Sequence, residues 1–165
     1  SMRMRKIIRL KGYDYSKEGV YFVTIVVQDR LHLFGEIING KMIFNDAGKM
    51  IEKWYLKLED KFPEIKCDEY IVMSNHFHCL IEIRNLVGSD PRVRPNEIIR
   101  QSLSRIIQWF KTMTTNDYIK GVINHSWDKF NGKLWERSFI DRILRKNEID
   151  IKKKYIKNNP ENWNK

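Results

Sequence analysis

The spacing of apolar residues along the chain predicts an ordered series of strands and helices. The first clear element is VYFVTIVV at positions 20–27, a β-branched and aromatic run that is typical of a central strand. The next segment, EIINGKMIF at positions 36–44, places Asn39-Gly40 between apolar flanks. Because this dipeptide tolerates the positive φ angles of a type I′ turn, we expect a small β-hairpin here.

A helix and two further strands are predicted in the next part of the chain. Between positions 45 and 62 apolar residues recur at helical spacing, and Asn45 is suited to cap the helix start. The apolar stretch that follows is too long for one typical strand, and Ser74-Asn75 favours a turn within it. We therefore expect two antiparallel strands, at about 66–73 and 76–83.

The remaining pattern predicts a second helix, a strand and a third helix. Asn96 is suited to cap the second helix, whose apolar stripe consists of Ile99, Leu103, Ile106, Phe110 and Met113. The segment 114–131 is weakly patterned and is predicted to be a loop with short turns. KLWERSFIDRIL, at positions 133–144, predicts the last strand. Asn147 should cap the final helix, which Pro160 should end.

The order of these elements is strand, helix, strand, strand, helix, strand, helix, with the hairpin inserted after the first strand. That order is the ferredoxin-like split βαβ pattern of the α+β class, in which an antiparallel sheet carries two helices on one face. The final helix is additional to this pattern. With 165 residues, we expect a single domain over residues 2–165, and Ser1 is typical of an expression scar.

The charge balance favours a polyanionic partner. Lysine and arginine total 31 against 21 acidic residues, a formal net charge of +10, and such a surplus is most often associated with nucleic acid binding. The sequence contains no membrane span, signal peptide or CxxC pair, and no phosphate-binding G-x-x-x-x-G-K-[ST] loop that would indicate a nucleotide cofactor. We expect a cytoplasmic, nucleoid-associated protein without a membrane partner.

Two of the four histidines lie in MSNHFHCLIEI, at positions 73–83. Because side chains alternate across a strand, His76 and His78 share one face with Leu80 and Glu82. The opposite face, which should pack on the helices, would hold Asn75, Phe77, Cys79, Ile81 and Ile83. Cα atoms two residues apart on a strand are ~6.7 Å apart, which allows two imidazoles to bind one cation. The alternative is a pair of polar residues on a half-exposed face.

The final helix offers the third element that such a site needs. Tyr155 and Asn159 are four residues apart and therefore share a helical face. Ile149 and Ile156 lie on a different stripe that would anchor the helix. If this helix covers the open face of the sheet, Tyr155 and Asn159 can reach the histidine pair. The alternatives are a tyrosine that only packs and an asparagine that only caps the helix end.

Several segments together resemble one family. MSNHFHCLIEI is similar to the M-P-N-H-x-H segment of the Y1 tyrosine transposases, the HUH class typified by IS200-like elements. YIKNNPENW resembles the Y-I-x-x-N-P segment of their REP-associated branch. SLSRIIQWFK, GKLWERSFIDRIL, LKGYDYSKEGVYFVTI and RLHLFGEI resemble further segments of that branch. The resemblance covers nearly the whole chain in order.

This resemblance implies a metal-dependent endonuclease and transesterase (a DNA strand transferase) that acts on single-stranded or hairpin DNA. His76 and His78 would be the HUH pair that binds Mg²⁺ or Mn²⁺, and Asn159 would be a third metal ligand. Tyr155 would be the nucleophile, which forms a 5′-phosphotyrosine and leaves a free 3′-OH. The energy of the broken bond is kept in the adduct, so the strand can be rejoined without ATP.

The chain departs from the family pattern at two places. Ser74 replaces the usual proline, which should loosen the turn before the histidine pair but removes no chemical group. Asp141-Arg142 stands where many relatives have an acidic residue followed by a histidine, so this chain lacks that histidine. Asp141 would support the metal or orient a ligand, and a surface ion pair with Arg145 is the alternative.

Basic and aromatic residues elsewhere are candidates for contacts with DNA phosphates and bases. They are Lys152, Lys153 and Lys154 directly before Tyr155, Arg100, Arg105 and Lys111 on the second helix, Arg5 in the N-terminal segment, and Trp163 after the final helix. For each lysine the alternative is a solvated basic face.

Other classes of function stay open at this point. A βαββαβ core with basic residues also describes RNA-recognition domains, although the RNP1 pattern is absent from the sequence. A domesticated transposase that binds hairpin or single-stranded DNA without cleaving it is an intermediate case. A histidine phosphoesterase or another metal hydrolase would use water in place of Tyr155. The sequence is compatible with a monomer and with a homodimer, in which active sites form within one chain or across two.

Overall fold

A four-stranded antiparallel sheet forms the middle layer of the structure, a computed structural model that describes residues 19–84 and 95–158. The strands are β1 (Val20–Val26), β4 (Ile65–Val72), β5 (His76–Ile83) and β6 (Ile140–Ile143), and a separate hairpin pairs β2 (Gly35–Ile38) with β3 (Lys41–Phe44). The helices are α1 (Asp46–Leu56), α2 (Leu58–Lys61), α3 (Pro95–His125) and α4 (Lys146–Lys157), and Gln28–Arg30 form one 3-10 turn.

The topology of the sheet confirms the predicted ferredoxin-like α+β fold. The strand order is β4-β5-β1-β6, and each neighbouring pair is antiparallel. Helices α1 and α3 pack on one face, where the main core includes Val23 and Ile25 of β1 with Phe77 and Ile81 of β5. Helix α4 packs on the other face. The sheet therefore separates a large core from a smaller layer.

The inserted hairpin turns at the predicted dipeptide. Asn39 has a φ of 52° and Gly40 a φ of 76°, so both residues are in the left-handed region that a type I′ turn requires. The flanking residues Ile38 and Lys41 are directly opposite each other in the ladder. Local turn chemistry is therefore sufficient to specify this hairpin.

Helix α1 is fixed at both ends by polar contacts. The side-chain oxygen of Asn45 accepts the N–H of Gly48 at 2.8 Å, which is the predicted N-cap. Near the other end, the Lys53 ammonium and the Trp54 indole N–H each donate to one carboxylate oxygen of Asp117 at 2.8 Å. Because Asp117 lies on α3, these bonds tie the two core helices together.

The prediction of a loop over 114–131 is wrong for residues 114–125, because α3 continues to His125, and it is confirmed for residues 126–131. Thr114 and Tyr118 are buried and extend the apolar stripe one and two turns beyond Phe110. The Thr114 hydroxyl donates to the Phe110 carbonyl at 2.7 Å and accepts the Trp135 indole N–H at 2.9 Å. Tertiary packing thus overrides the weak helix propensity of this stretch. Within the described residues no helix is long and apolar enough to span a membrane.

The last strand is shorter than the predicted 133–144. Strand β6 is limited to Ile140–Ile143, and Trp135 forms only an isolated bridge with Val27. Between them, the carbonyl oxygens of residues 136–138 accept hydrogen bonds from the Lys111 ammonium at 2.8, 3.1 and 3.4 Å. The Glu136 N–H still donates to the Val26 carbonyl at 2.8 Å, but the carbonyls of residues 136–138 are directed at α3, and the ladder is interrupted before β6 begins.

Helix α4 begins at Lys146, one residue before the predicted cap. The N-cap is Arg145, whose backbone N–H donates to the carboxylate of Glu148 at 3.0 Å. Because Glu148 supplies the reciprocal bond of a capping box, Asn147 falls inside the first turn and is not the cap. The helix ends at Lys157, and Pro160, the predicted terminator, lies outside the described residues.

Helix α4 covers the open face of the sheet, which was the condition for Tyr155 to reach the histidine pair. Ile156 is fully buried in a small apolar cluster with Val20, Leu80 and Leu144. Ile149, seven residues earlier on the helix, is partly buried and packs against the same cluster. The predicted anchoring stripe therefore does hold the helix on the sheet.

Two ion pairs add to this docking. Lys153 lies 3.2 Å from Asp68, and Lys157 lies 3.4 Å from Glu69. Both carboxylates belong to β4 at the point where its register with β5 shifts, between Cys67 and Tyr70. A β-bulge re-aims side chains, and here two consecutive acids become available to the helix.

We expect Ile156→Ala to lower the free energy of unfolding by about 2–4 kcal/mol, because it removes buried methylene groups and leaves a cavity under α4. Urea denaturation followed by circular dichroism measures the change. Ile151→Ala is the matched control on the same helix, since Ile151 is 69% exposed, and it should cost less than about 0.5 kcal/mol. Equal losses in the two variants would show that α4 does not dock through Ile156.

Candidate active site

His76 and His78 lie on the sheet face that α4 covers. In the β1–β5 ladder, Val26 is opposite His76 and Thr24 is opposite His78. Leu80, the next residue on this face, belongs to the apolar cluster beneath α4. The two imidazole centroids are 4.6 Å apart. The alternation that the sequence predicted for this strand is therefore confirmed.

Each imidazole is oriented by a contact at Nδ1. The Asn75 amide donates to the Arg30 carbonyl in a long hydrogen bond of 3.5 Å, which turns its oxygen toward His76 Nδ1 at 2.8 Å. His78 Nδ1 lies 2.9 Å from the Thr24 hydroxyl. With Nδ1 protonated, the lone pair of each ring is on Nε2, which suits metal binding. Asn75 was predicted to face the main core, but it precedes β5 and contacts His76 instead.

Both imidazoles are held in the neutral form. Burial, and next the electrostatic effects of the nearby Arg30 and His32, lower the pKa of His76 from 6.5 to about 4. Burial, and next the neighbouring His76 and Lys152, lower the pKa of His78 to about 3. The neutral imidazole is the form that binds a metal ion, so both rings are in that form at neutral pH.

Tyr155 of α4 lies beside the histidines. Its ring centroid is 6.4 Å from that of His78 and 6.4 Å from that of Phe22. Phe22 stacks against His78 at 5.1 Å. Lys152 places its ammonium 4.6 Å from the Phe22 centroid and 4.6 Å from the Tyr155 centroid. The Tyr155 side chain is 41% exposed, so the phenol is accessible at the edge of the imidazole pair.

The turn before His76 is held by a neighbouring loop. Ser74 is buried, its hydroxyl lies 2.7 Å from His32 Nδ1, and its carbonyl accepts the N–H groups of Leu33 and Phe34 at 2.9 and 3.1 Å. Serine in place of proline was expected to loosen this turn. Its hydroxyl instead adds a connection to the loop.

Asp141 and Arg100 lie on the opposite layer from the histidines. Asp141 is opposite Val23 in the ladder, and Val23 faces the main core. Its carboxylate pairs with Arg100 of α3 at 2.9 Å, and not with Arg145 as the alternative supposed. Strand alternation therefore directs Asp141 away from the imidazole pair, which corrects its assignment as support for a metal.

The other two predicted DNA-binding residues of α3 have partners within the protein. Arg105 forms an ion pair with Glu64 and lies over the Phe62 ring. Lys111 donates to the three backbone carbonyls at 136–138, and burial lowers its pKa. Helix α3 is on the far layer of the sheet, so neither side chain adjoins the candidate site.

The remaining predicted residues differ in their surroundings. Of the three consecutive lysines, Lys152 adjoins Tyr155, Lys153 pairs with Asp68, and Lys154 is exposed. The predicted third ligand and two of the predicted DNA contacts lie outside the described residues; these are Asn159, Arg5 and Trp163.

Sequence reasoning missed several residues of this site. Thr24 interrupts the apolar strand run at 20–27 with a hydroxyl, and that exception was a usable signal. Phe22 is two residues before Thr24 on the same strand, so alternation places both side chains on the same face of the sheet. Arg30 and His32 are in a loop without a periodic pattern, so only the tertiary structure brings them to His76.

The residues fit a divalent cation. Two neutral imidazoles with centroids 4.6 Å apart and with their Nδ1 atoms already in contact with neighbouring oxygens form a suitable pair of nitrogen donors. No group of three His, Cys, Asp or Glu side chains that could hold a metal ion occurs within residues 19–84 and 95–158. The remaining positions would be taken by water, by a substrate oxygen or by a residue outside those ranges, and open positions are typical of catalytic sites.

Two solved structures resemble this chain over most of its length. A REP-associated tyrosine transposase bound to a REP hairpin superposes with a TM-score of 0.56 at 16% identity, over 99% of this chain and 74% of that protein. A candidate transposase from Deinococcus radiodurans R1 superposes with a TM-score of 0.50 at 13% identity, over 92% of this chain and 96% of that protein. The chain has the fold of the Y1 tyrosine transposases.

A bacterial relative is close in sequence. An uncharacterized protein of Haemophilus influenzae strain Rd is 33% identical over 172 aligned residues, which cover 96% of this chain and 89% of that protein. The chain belongs to the same family as this Haemophilus protein. No protein-family profile matches the chain.

The lowered pKa values predict a pH-dependent stability. Below about pH 6.5 the unfolded chain binds protons at His76 and His78, whereas the folded chain does not bind them until about pH 4 and about pH 3. The stabilisation is therefore fully present above pH 6.5 and is lost as the pH falls. Between pH 7 and pH 5 we expect the free energy of unfolding to drop by about 2 kcal/mol per histidine. Urea denaturation at a series of pH values, in buffer with EDTA, measures this change in the free energy of unfolding.

Variants of the histidines identify the source of this dependence. The double variant His76→Gln with His78→Gln should show a flatter change between pH 7 and pH 5. His125→Gln is the control, because His125 is exposed at the end of α3. If the double variant keeps the full pH dependence of the parent, the two imidazoles are not the groups that titrate.

Proposed function

We propose that the protein is a metal-dependent endonuclease and strand transferase that cleaves and rejoins single-stranded, hairpin-containing DNA through a 5′-phosphotyrosine. The observation that carries this proposal is the position of Tyr155, whose ring lies 6.4 Å from His78 on the face of the sheet that carries both histidines. The fold of the chain supports it, because one structural neighbour is a tyrosine transposase bound to a REP hairpin.

The reaction is an in-line exchange of one phosphodiester for another. The Tyr155 oxygen attacks the phosphorus, and the bond between phosphorus and the 3′ oxygen breaks. The phosphate stays on the 5′ oxygen of the downstream strand, now joined to tyrosine, and the upstream strand leaves with a 3′-OH after taking up a proton. Attack by a 3′-OH on the phosphotyrosine reverses the step. One ester is broken and one is formed each time, so no nucleotide cofactor is needed.

Lys152 is the basic residue placed to assist the nucleophile. Its ammonium lies 4.6 Å from the Tyr155 ring centroid, and burial lowers its pKa. A positive charge at this distance attracts the substrate phosphate to the phenol that would attack it. Lys153 is less suited to this role, because Asp68 holds it at 3.2 Å.

His76 and His78 would hold the divalent cation, Mg²⁺ or Mn²⁺. When bound there, such an ion supplies Lewis-acid stabilisation of the charge that develops on the phosphate oxygens. The protein prepares the donors by burying both rings, fixing His76 through Asn75 and fixing His78 through Thr24. Phe22 limits the rotation of His78 by stacking against it at 5.1 Å.

The test is a covalent trapping experiment. The protein is incubated with Mn²⁺ and a pool of single-stranded oligonucleotides that carry randomised stem-loops and a 3′-terminal label. Because the downstream strand stays on tyrosine, the label should migrate with denatured protein. Tyr155→Phe should reduce this adduct by more than about 100-fold, since the nucleophilic oxygen is removed, and EDTA should abolish it.

Matched controls define the outcome. Tyr70→Phe removes a phenol from the other layer, where it donates to Glu52 at 2.7 Å, and should keep full adduct formation. The same pool with a 5′-terminal label should give no labelled protein, because that end leaves with the free 3′-OH. If Tyr155→Phe forms as much adduct as the parent, the nucleophile is another group. If the parent binds hairpins and never forms an adduct, the protein is a binding module.

A further inference from the structure

The loop between β1 and β2 contains two adjacent residues in the left-handed region. Asp29 has a φ of 59° and Arg30 a φ of 54°. Neither is glycine, and although aspartate enters this region more readily than most residues, arginine in this region is strained. Strained backbone of this kind persists where the surrounding structure enforces it, and it concentrates at functional sites. Two such residues in succession, beside the histidine pair, indicate a functional constraint on this loop.

The loop is fixed to the turn that carries His76. Val27 N–H donates to the Asn75 carbonyl at 2.9 Å, and the Ser74 carbonyl accepts the N–H groups of Leu33 and Phe34. The Ser74 hydroxyl contacts His32 at 2.7 Å. The loop therefore keeps a constant position relative to His76, which a flexible segment would not do.

The Arg30 side chain is exposed, and no ion pair joins it to any carboxylate of the described residues. Three other arginines of the described chain are paired, Arg100 with Asp141, Arg105 with Glu64 and Arg142 with Glu148. The Arg30 carbonyl accepts the amide of Asn75, the residue that orients His76. The guanidinium thus extends from a backbone position adjoining the His76 end of the site.

Positive groups consequently occupy both ends of the imidazole pair. Lys152 adjoins His78 from α4, and Arg30 adjoins His76 from the loop. His76 and His78 lie along β5 between these two positive groups. A single DNA strand that crosses the site parallel to β5 would meet Lys152, the histidines and Arg30 in that order, with a phosphate available for each positive group.

We propose that loop 27–34 forms a second phosphate-binding site, in which the Arg30 guanidinium contacts a phosphodiester next to the one at Tyr155. This inference rests on the proposed function and specifies how the substrate strand is placed. A planar guanidinium binds a phosphate through two parallel hydrogen bonds, which fixes direction as well as position. The left-handed backbone conformation at Arg30 sets the direction of the guanidinium.

The test measures phosphate contacts and needs no cleavage. The affinity of the protein for a labelled oligothymidylate of about 20 nucleotides is measured in EDTA from about 50 to about 300 mM NaCl, for the parent and for Arg30→Asn. Asparagine tolerates a positive φ, so the fold is kept while the charge is removed. We expect about tenfold weaker binding at low salt and a slope of log K against log salt that is smaller by about 0.7, the value for one phosphate on a single strand.

Three further variants interpret the result. Arg84→Asn removes an exposed arginine at the other end of β5, about 27 Å along the strand from His76, and should leave the slope at the parental value. Arg30→Lys should retain most of the slope, because the charge remains. Arg30→Gly should show the same reduced slope as Arg30→Asn and yet melt at or above the parental temperature, since glycine relieves the strain at this position.

The outcomes separate this inference from the proposed function. An unchanged slope in Arg30→Asn, an equal decrease in Arg84→Asn, or a parent that does not bind the probe would each overturn the second phosphate site. A reduced slope together with no trapped adduct in any condition would retain the site and reject the transferase. A lower melting temperature for Arg30→Gly would show that the backbone is not strained for binding.

Discussion

The packing of Ile156 against Leu80, Val20 and Leu144 is the interaction on which the candidate site depends. A split βαβ sheet with two helices leaves one face without a partner, and this cluster is what places α4 there. The tyrosine is the residue directly before that buried isoleucine, so the apolar contact fixes the rotation of the helix and with it the direction of the phenol. The proposed nucleophile and the residue that docks the helix are therefore adjacent positions on α4.

The two faces of the sheet serve different purposes. The face toward α1 and α3 holds most of the apolar core and the polar link through Asp117, which make the fold stable. The face toward α4 holds histidine and threonine side chains between aromatic and aliphatic neighbours. Because residues alternate along β1 and β5, every second position contributes to stability and the positions between contribute to the site. Asp141 illustrates the rule, since its parity alone places it with the core.

Much of the fold and part of the site could be predicted from local patterns. Alternation in the histidine strand, the Asn39-Gly40 turn and the stripe around Ile156 are set by neighbouring residues, and the structure agrees with each. The continuation of α3 past Thr114 could not be predicted, because its support comes from Trp135, which is distant in sequence and donates to the Thr114 hydroxyl. Thr24 reaches His78 through the register of β1 with β5, and Arg30 reaches His76 through the path of the loop after β1. Neither the register nor the path of the loop can be read from a short segment of the sequence.

The division into two apolar clusters has a consequence for how the molecule opens. The cluster beneath α4 consists of a few buried side chains, whereas the main core extends across both long helices and several strands. Hydrogen exchange commonly proceeds through cooperative units that open below the energy of global unfolding. Amides of α4 are therefore expected to exchange as one such unit while α1 and α3 stay protected. Tyr155, the proposed nucleophile, would then be carried by a separately released segment, and the proposed DNA substrate would enter without disturbing the scaffold.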